Sequence, residues 1–206
     1  MTGVEMPTRI DGRTARAERT RAAIVEAHLA LVGAGDLRPT GERIAERAGI
    51  SLRALWTNFK DMEALFAASG ERLATQVAAA YRPVAADLPL PKRVAGFCDQ
   101  RARLLELIAP CARAAQLREP FSEQLRANRA QAIGLVREEI SVLFAGELDL
   151  AGSGRGGLLD ALLAASTWAN WAMLRDELAL AVDAARDVMA RTVTALLLAT
   201  IADSLR

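Results

Sequence analysis

The sequence predicts an all-α protein: a three-helix N-terminal head with a helix-turn-helix, then a larger helical body, about nine helices in all. Composition is the first reason. The 206 residues are 52% hydrophobic but only 4% aromatic, an Ala/Leu/Val-rich mixture that favours helices. Periodicity is the second, since apolar residues recur three and four apart through one segment after another. The third is the stretch Thr40–Phe59, two short helical patterns joined by Gly49-Ile50-Ser51. That link has the length and the glycine of a helix-turn-helix, the unit that lays its second helix in the DNA major groove.

A chain of this length holds one larger domain, or a small one plus a medium one, and either buries a real core. Charges interrupt every apolar stretch except the short Leu196-Leu197-Leu198 neighbourhood, so no membrane span is expected. Met1–Asp11 lacks the apolar block of a secretory signal, and a cytoplasmic location is the expectation. Cys98 and Cys111 are too far apart for a CxxC pair and lie in helical patterns, as reduced core thiols do. Net charge is only +1, but residues 1–60 carry ten basic against seven acidic side chains, a balance of +3. The remainder is −2. A basic head on a faintly acidic body suits a phosphate-facing N-terminus.

Residues 1–18, with arginines at 9, 13, 16 and 19, read as a flexible arm. It is either a solvated tail or an arm lying along a DNA groove. From Arg19 to Gly33, Ile24, Ala27, His28, Leu31 and Val32 share one face of a first helix. His28, the sole histidine, has no second imidazole to work with and reads as a packed helix residue. Glycines at 33 and 35 end that helix, and Pro39 stops any continuation. Thr40 caps a second helix, with Glu42 in its first turn and Arg43 and Arg47 on its outer face. Gly49 turns the chain and Ser51 caps a third helix. Leu55 and Phe59 pack inward, which leaves Leu52, Arg53, Trp56, Thr57 and Asn58 with surface toward solvent or a ligand. An outward Trp beside Arg, Thr and Asn calls for a cover, and DNA supplies one.

Asp61 caps a long fourth helix that ends at the proline-rich link Arg82–Pro91, a candidate head-to-body hinge. Lys92–Ala109 is the next helix, broken or kinked by Pro110, with Cys111–Leu117 continuing as a short one. Pro120 opens another that runs through Phe144. Gly146–Gly157 is the expected least ordered internal segment. Leu158–Leu178 and Val182–Leu205 form the closing pair. Ala185, Val188, Met189, Thr192, Leu196 and Thr200 make one stripe on the last helix, and Leu197, Leu198 and Ile201 spill round the other side. A helix apolar nearly all round faces both its own core and a partner, so residues 158–205 are the expected homodimer interface.

Gly35, Thr40, Ile44-Ala45, Ala48-Gly49-Ile50-Ser51, Leu55-Trp56, Phe59 and Leu65-Phe66 resemble the N-terminal domain of the tetracycline-repressor (TetR) family of regulators. The resemblance covers about residues 20–67. Three positions depart from it: Trp56 stands where tyrosine is usual, Asn58 where histidine is frequent, and Met62 where a phosphate-holding lysine is usual. Gly41 also replaces an apolar residue. The resemblance implies a helix-turn-helix DNA-binding domain at 19–66 and a ligand-binding and dimerisation domain at 67–206. It implies a ligand-responsive repressor that binds a palindromic double-stranded DNA operator as a homodimer. Ser51, Leu52, Arg53, Trp56, Thr57 and Asn58 would meet bases and sugar-phosphate, and Thr40, Arg43, Lys60 and the arm would hold phosphates. The body would enclose a mostly hydrophobic small-molecule effector, with candidate lining residues Phe97, Arg101, Leu104, Ile108, Cys111, Phe121, Leu125, Trp168 and Trp171. Each of these is equally a core residue by its spacing.

Catalysis is not expected. No P-loop, zinc-ligand spacing or GxSxG elbow is present, no cofactor is called for, and His28 is remote in sequence from both cysteines. The competing reading is an all-α small-molecule-binding or scaffold protein without a DNA partner. Retention on duplex DNA that falls steeply with salt separates the two.

Overall fold

The structure is a computed structural model that describes residues 12–205, the side chains of residues 12 and 13 excepted. The described residues are all-α, with ten α-helices and no strand. Four of them build the head: α1 (Gly12–Gly33), α2 (Gly41–Ala48), α3 (Leu52–Asn58) and the first turns of α4 (Met62–Ala80). Ile24, Val25, Ala27 and Leu31 of α1 close on Ile44, Ala45, Leu55, Phe59 and Leu65 to make one buried cluster. Met62 packs against the rim of that cluster.

α5 (Leu90–Gln116), α6 (Glu123–Leu143), α7 (Ala145–Leu150), α8 (Arg155–Ser166), α9 (Trp168–Ala172) and α10 (Val182–Ser204) build the body. Its separate core includes Phe97, Leu105, Ile140, Phe144, Leu148, Leu162, Trp171 and Met189. Phe97 and Phe144 meet edge to face, ring centroids 5.6 Å apart. No described helix is long and apolar enough to cross a membrane.

Helix boundaries depart from the sequence expectation in ways that packing explains. α1 starts at Gly12, so residues 12–18 are helix rather than arm; Arg9 lies outside the described residues. α5 runs straight through Pro110. A proline there forfeits the bond to the carbonyl of Glu106, but Leu104, Leu105 and Ala109 before it and Ala114 after it are buried and hold both halves in place. The helix near Pro120 begins only at Glu123, capped by Ser122, after a 3-10 turn at Glu119–Phe121. The glycine-rich segment is not a loop. α7, a 3-10 turn at Gly152–Gly154 and the start of α8 fill it, and Glu147 anchors it to Arg93 of α5 at 2.6 Å. Gly152-Ser153-Gly154-Arg155-Gly156-Gly157 has G-x-G-x-x-G spacing but follows a helix, so it lacks the strand that a dinucleotide fingerprint needs.

The expected continuous helix 158–178 is interrupted at Thr167, whose backbone is extended, and ends in a π turn over Met173–Glu177. One break and one new helix, set against the uninterrupted α5, turn nine expected helices into ten. On α10 the buried row is Ala185, Met189, Val193 and Leu197, four apart throughout. Val188 and Thr192, expected on that row, face outward.

Where head meets body, polar groups are paired one by one. Glu63 of α4 accepts from the Ser122 hydroxyl at 2.9 Å and from the Gln124 amide at 3.1 Å, at the start of α6. Asn128 donates to the Phe66 carbonyl at 3.3 Å. Arg82 in the proline-rich link donates its amide to buried Gln100 at 2.6 Å, which ties the candidate hinge to α5. His28 is buried, 2.9 Å from the Ser69 hydroxyl, with Phe66 tilted against it. Burial, with the Arg118 charge adding to it, pushes its imidazole down to about 4, so the ring is neutral near pH 7.

Candidate nucleic-acid interface

The α2–α3 turn is fixed by backbone chemistry that its residues dictate. The Thr40 hydroxyl accepts from the Arg43 amide at 3.4 Å, which caps α2. Glu42 in the first turn is held below the usual carboxylate range by its own backbone amide and then by the Thr40 hydroxyl. At the far end Gly49 adopts φ 68°, ψ 32°, the left-handed cap that glycine takes most easily, and its amide returns to Ala45 and Glu46. Ser51 then caps α3 by accepting from the Ala54 amide at 3.1 Å. Leu55 and Phe59 are buried, so the opposite side of α3 faces out.

On that outer side the side chains are in different states. The Arg53 guanidinium is exposed, with no hydrogen bond or ion pair among the described residues. Trp56 is 38% exposed. Thr57 donates to the Arg53 carbonyl at 2.8 Å, and its oxygen stays open to a donor. Asn58 is half-buried, and its amide nitrogen donates to the Ala54 carbonyl at 2.8 Å. Arg43 is drawn to Asp36 at 2.5 Å, and Lys60 stands 82% exposed, 3.8 Å from Asp61. Leu52 is half-buried against α2. Free hydrogen-bonding capacity on α3 therefore concentrates at Arg53, with an indole beside it.

Two residues support this face in roles that the sequence did not suggest. Arg21 of α1 stacks over the Phe59 ring at 4.0 Å and donates to the Asn58 carbonyl at 2.7 Å. A cation at the end of α3 complements the helix dipole and clamps the helix to α1. Gly41 is the other, because the Trp56 ring lies directly over it. In one dimension Arg21 is a basic residue among several and Gly41 a weak helix former; only the packing gives either a role.

The candidate effector residues in the body differ in burial and in their partners. Phe97 and Trp171 are fully buried core, and the Trp171 indole N–H donates to Glu106 at 2.8 Å. Arg101 is buried, and its Nε and one Nη donate to the Ser166 carbonyl at 3.1 and 3.0 Å, where α8 ends. Its sequence neighbours Asp99 and Glu106 serve Arg186 and Arg175 instead. Leu104 is buried, Ile108, Cys111 and Leu125 are half-buried, and Phe121 stands 90% exposed. Trp168 is half-buried beneath the Arg113 guanidinium, and its buried indole N–H has no hydrogen-bond partner among the described residues. Two surface grooves, of about 810 and 510 Å³, lie elsewhere: between the proline-rich link, α5 and the start of α10, and between α8 and the end of α10. Both cysteines are free thiols, and burial pushes Cys98 up to about 12, an unreactive state.

No family model matches the sequence, and no curated protein matches it. A transcriptional regulator from Rhodococcus sp. Rha1 superposes with a TM-score of 0.65 at 18% identity, over 89% of this chain and 96% of that one. The two chains share a fold. At that identity the likeness covers the head and the body together and carries no residue's role from one chain to the other.

Proposed function

We propose that this protein is a DNA-binding transcriptional regulator of the tetracycline-repressor type, with residues 19–66 as reader and 67–206 as dimerising, effector-responsive body. In this reading it represses from a palindromic double-stranded operator as a homodimer, and a mostly hydrophobic small molecule releases it. The observation that carries the reading is the outer face of α3: Arg53 without a partner and Trp56 partly exposed, on a helix capped, turned and clamped by its neighbours. Arg53 can fork onto guanine, while Thr57 and Lys60 address the backbone. Asn58 reads adenine only by giving up its bond to Ala54.

Support for pairing comes from α8 and α10. On α10, Val188 and Leu198, with Leu205 just past its C-terminal end, expose 40%, 53% and 83% of their surface. Beside them the groove of about 510 Å³ is lined by Leu196 and by Gly157, Ala161 and Ala199, the last three small enough for helices of a second copy to approach closely. Two heads held this way would meet half-sites about 34–36 Å apart or somewhat more.

Selection from a random duplex pool tests the whole reading. Two inverted half-sites should emerge, and retention should fall steeply between low and physiological salt. A pool that yields no enriched sequence, with no retention at any salt, overturns it.

A further inference from the structure

α2 and α3 come close together at Gly41. A Cβ built there would lie 2.6 Å from Cζ2 and 3.4 Å from Cε2 of the Trp56 indole, and 3.2 Å from Cδ1 of Leu52. Contacts under about 3 Å are hard overlaps, so the ring already fills the space of a side chain at 41. Backbone conformation does not explain the glycine, because Gly41 is not among the left-handed residues and sits in the first turn of α2. Space does. A glycine costs helix stability relative to alanine, and here it admits a large ring. The covered part of Trp56 is thus spent on α2, and what faces outward is the remaining 38%.

We infer that Gly41 and Trp56 are a size-matched pair that sets how α3 lies across α2, and so decides which duplex sequence the chain accepts. Trp56 is then a positioning residue for Arg53, one turn before it on the same face, rather than a reader of bases. The inference rests on the DNA-binding reading above. It also links two departures from the family pattern that look independent in the sequence: a larger aromatic at 56 goes with a lost side chain at 41.

A double-mutant cycle on the full chain tests it, with Gly41→Ala, Trp56→Phe and the double variant. Affinity is measured for the selected duplex and for an unrelated duplex, and thermal unfolding is followed beside it. Each single variant should weaken the selected duplex by about tenfold, Gly41→Ala by pushing the indole off α2 and Trp56→Phe by leaving a gap. Binding to the unrelated duplex should change little, because it follows phosphate charge. The double variant should return to within about threefold of the parent, since the new methyl occupies the volume that the ring vacates. Losses that simply multiply in the double variant overturn the pairing. A Trp56→Phe loss confined to one base-pair position, and not rescued by adding Gly41→Ala, makes Trp56 a base reader instead. If the parent binds no duplex at all, the regulator reading fails, and the unfolding cycle alone judges the pair: non-additive shifts keep it, additive shifts sink it.

Discussion

Head and body carry similar kinds of charge and dispose of them in opposite ways. In the body, Arg93, Arg113, Arg129, Arg137, Arg155, Arg175 and Arg186 each sit in an ion pair with an acidic side chain. In the head, the guanidinium groups of Arg16, Arg19, Arg38, Arg47 and Arg53 have no acidic partner among the described residues, and that of Arg43 alone is closely paired. Counting charges along the chain gives the head a balance of only +3, a weak signal. Pairing strengthens it, because a neutralised arginine projects little field and an unpartnered one is free to displace counterions from a phosphate backbone. The seven body arginines named are therefore structural and the five of the head are available.

The sharpest way to break that contrast is at the most enclosed pair. Glu147 and Arg93 are 10% and 12% exposed, and the guanidinium also holds the carbonyls of Leu88 and Leu143. Glu147→Gln should cost about 3–5 kcal/mol in chemical denaturation by leaving a half-buried cation uncompensated. A change under about 1 kcal/mol would class it with surface pairs, whose usual worth that is.

Next in size is the joint between the two regions. The folded imidazole of His28 titrates at about 4, against 6.5 when unfolded, so the unfolded chain binds the extra proton between those values. Stability is then full above pH 6.5 and drops as pH falls toward 4, by about 3 kcal/mol in total at 1.36 kcal/mol per unit. Denaturation midpoints of the parent should fall over this window more steeply than those of His28→Gln. Parallel curves would remove His28 from the account.

The smallest expected change bears on the head alone. Arg53→Ala should weaken the selected duplex by about 1–3 kcal/mol and relax preference at one base pair, while leaving thermal unfolding within about 0.5 kcal/mol. Equal weakening on every duplex variant would make Arg53 a backbone contact.

Much of the head was legible because its signals are local. Thr40, Gly49, Ser51 and Asp61 act on groups within three or four residues of themselves, so caps and turns can be read in one dimension. The body was less so. Pro110 predicts a break that buried neighbours on both sides override, and glycines at 146–157 predict a loop that the Arg93–Glu147 pair turns into helix. On α10 the true buried row, Ala185 to Leu197, is one of several apolar rows, and spacing alone does not rank them. The same degeneracy grouped Phe121 with Phe97 as effector contacts, although one is nine-tenths exposed and the other fully buried.

By itself the sequence determined that the chain is helical, that a capped turn joins two short helices near its start, and that one of them shows Arg53 and Trp56 outward. Short-range hydrogen bonds and the 3.6-residue period require no knowledge of what lies across the fold. Tertiary structure alone decided which charges are neutralised, that Arg21 clamps α3 and that the indole of Trp56 rests on Gly41. The Arg93–Glu147 pair joins atoms 54 residues apart, the Arg21 clamp 37 and the Gly41–Trp56 contact 15, and only packing brings them there.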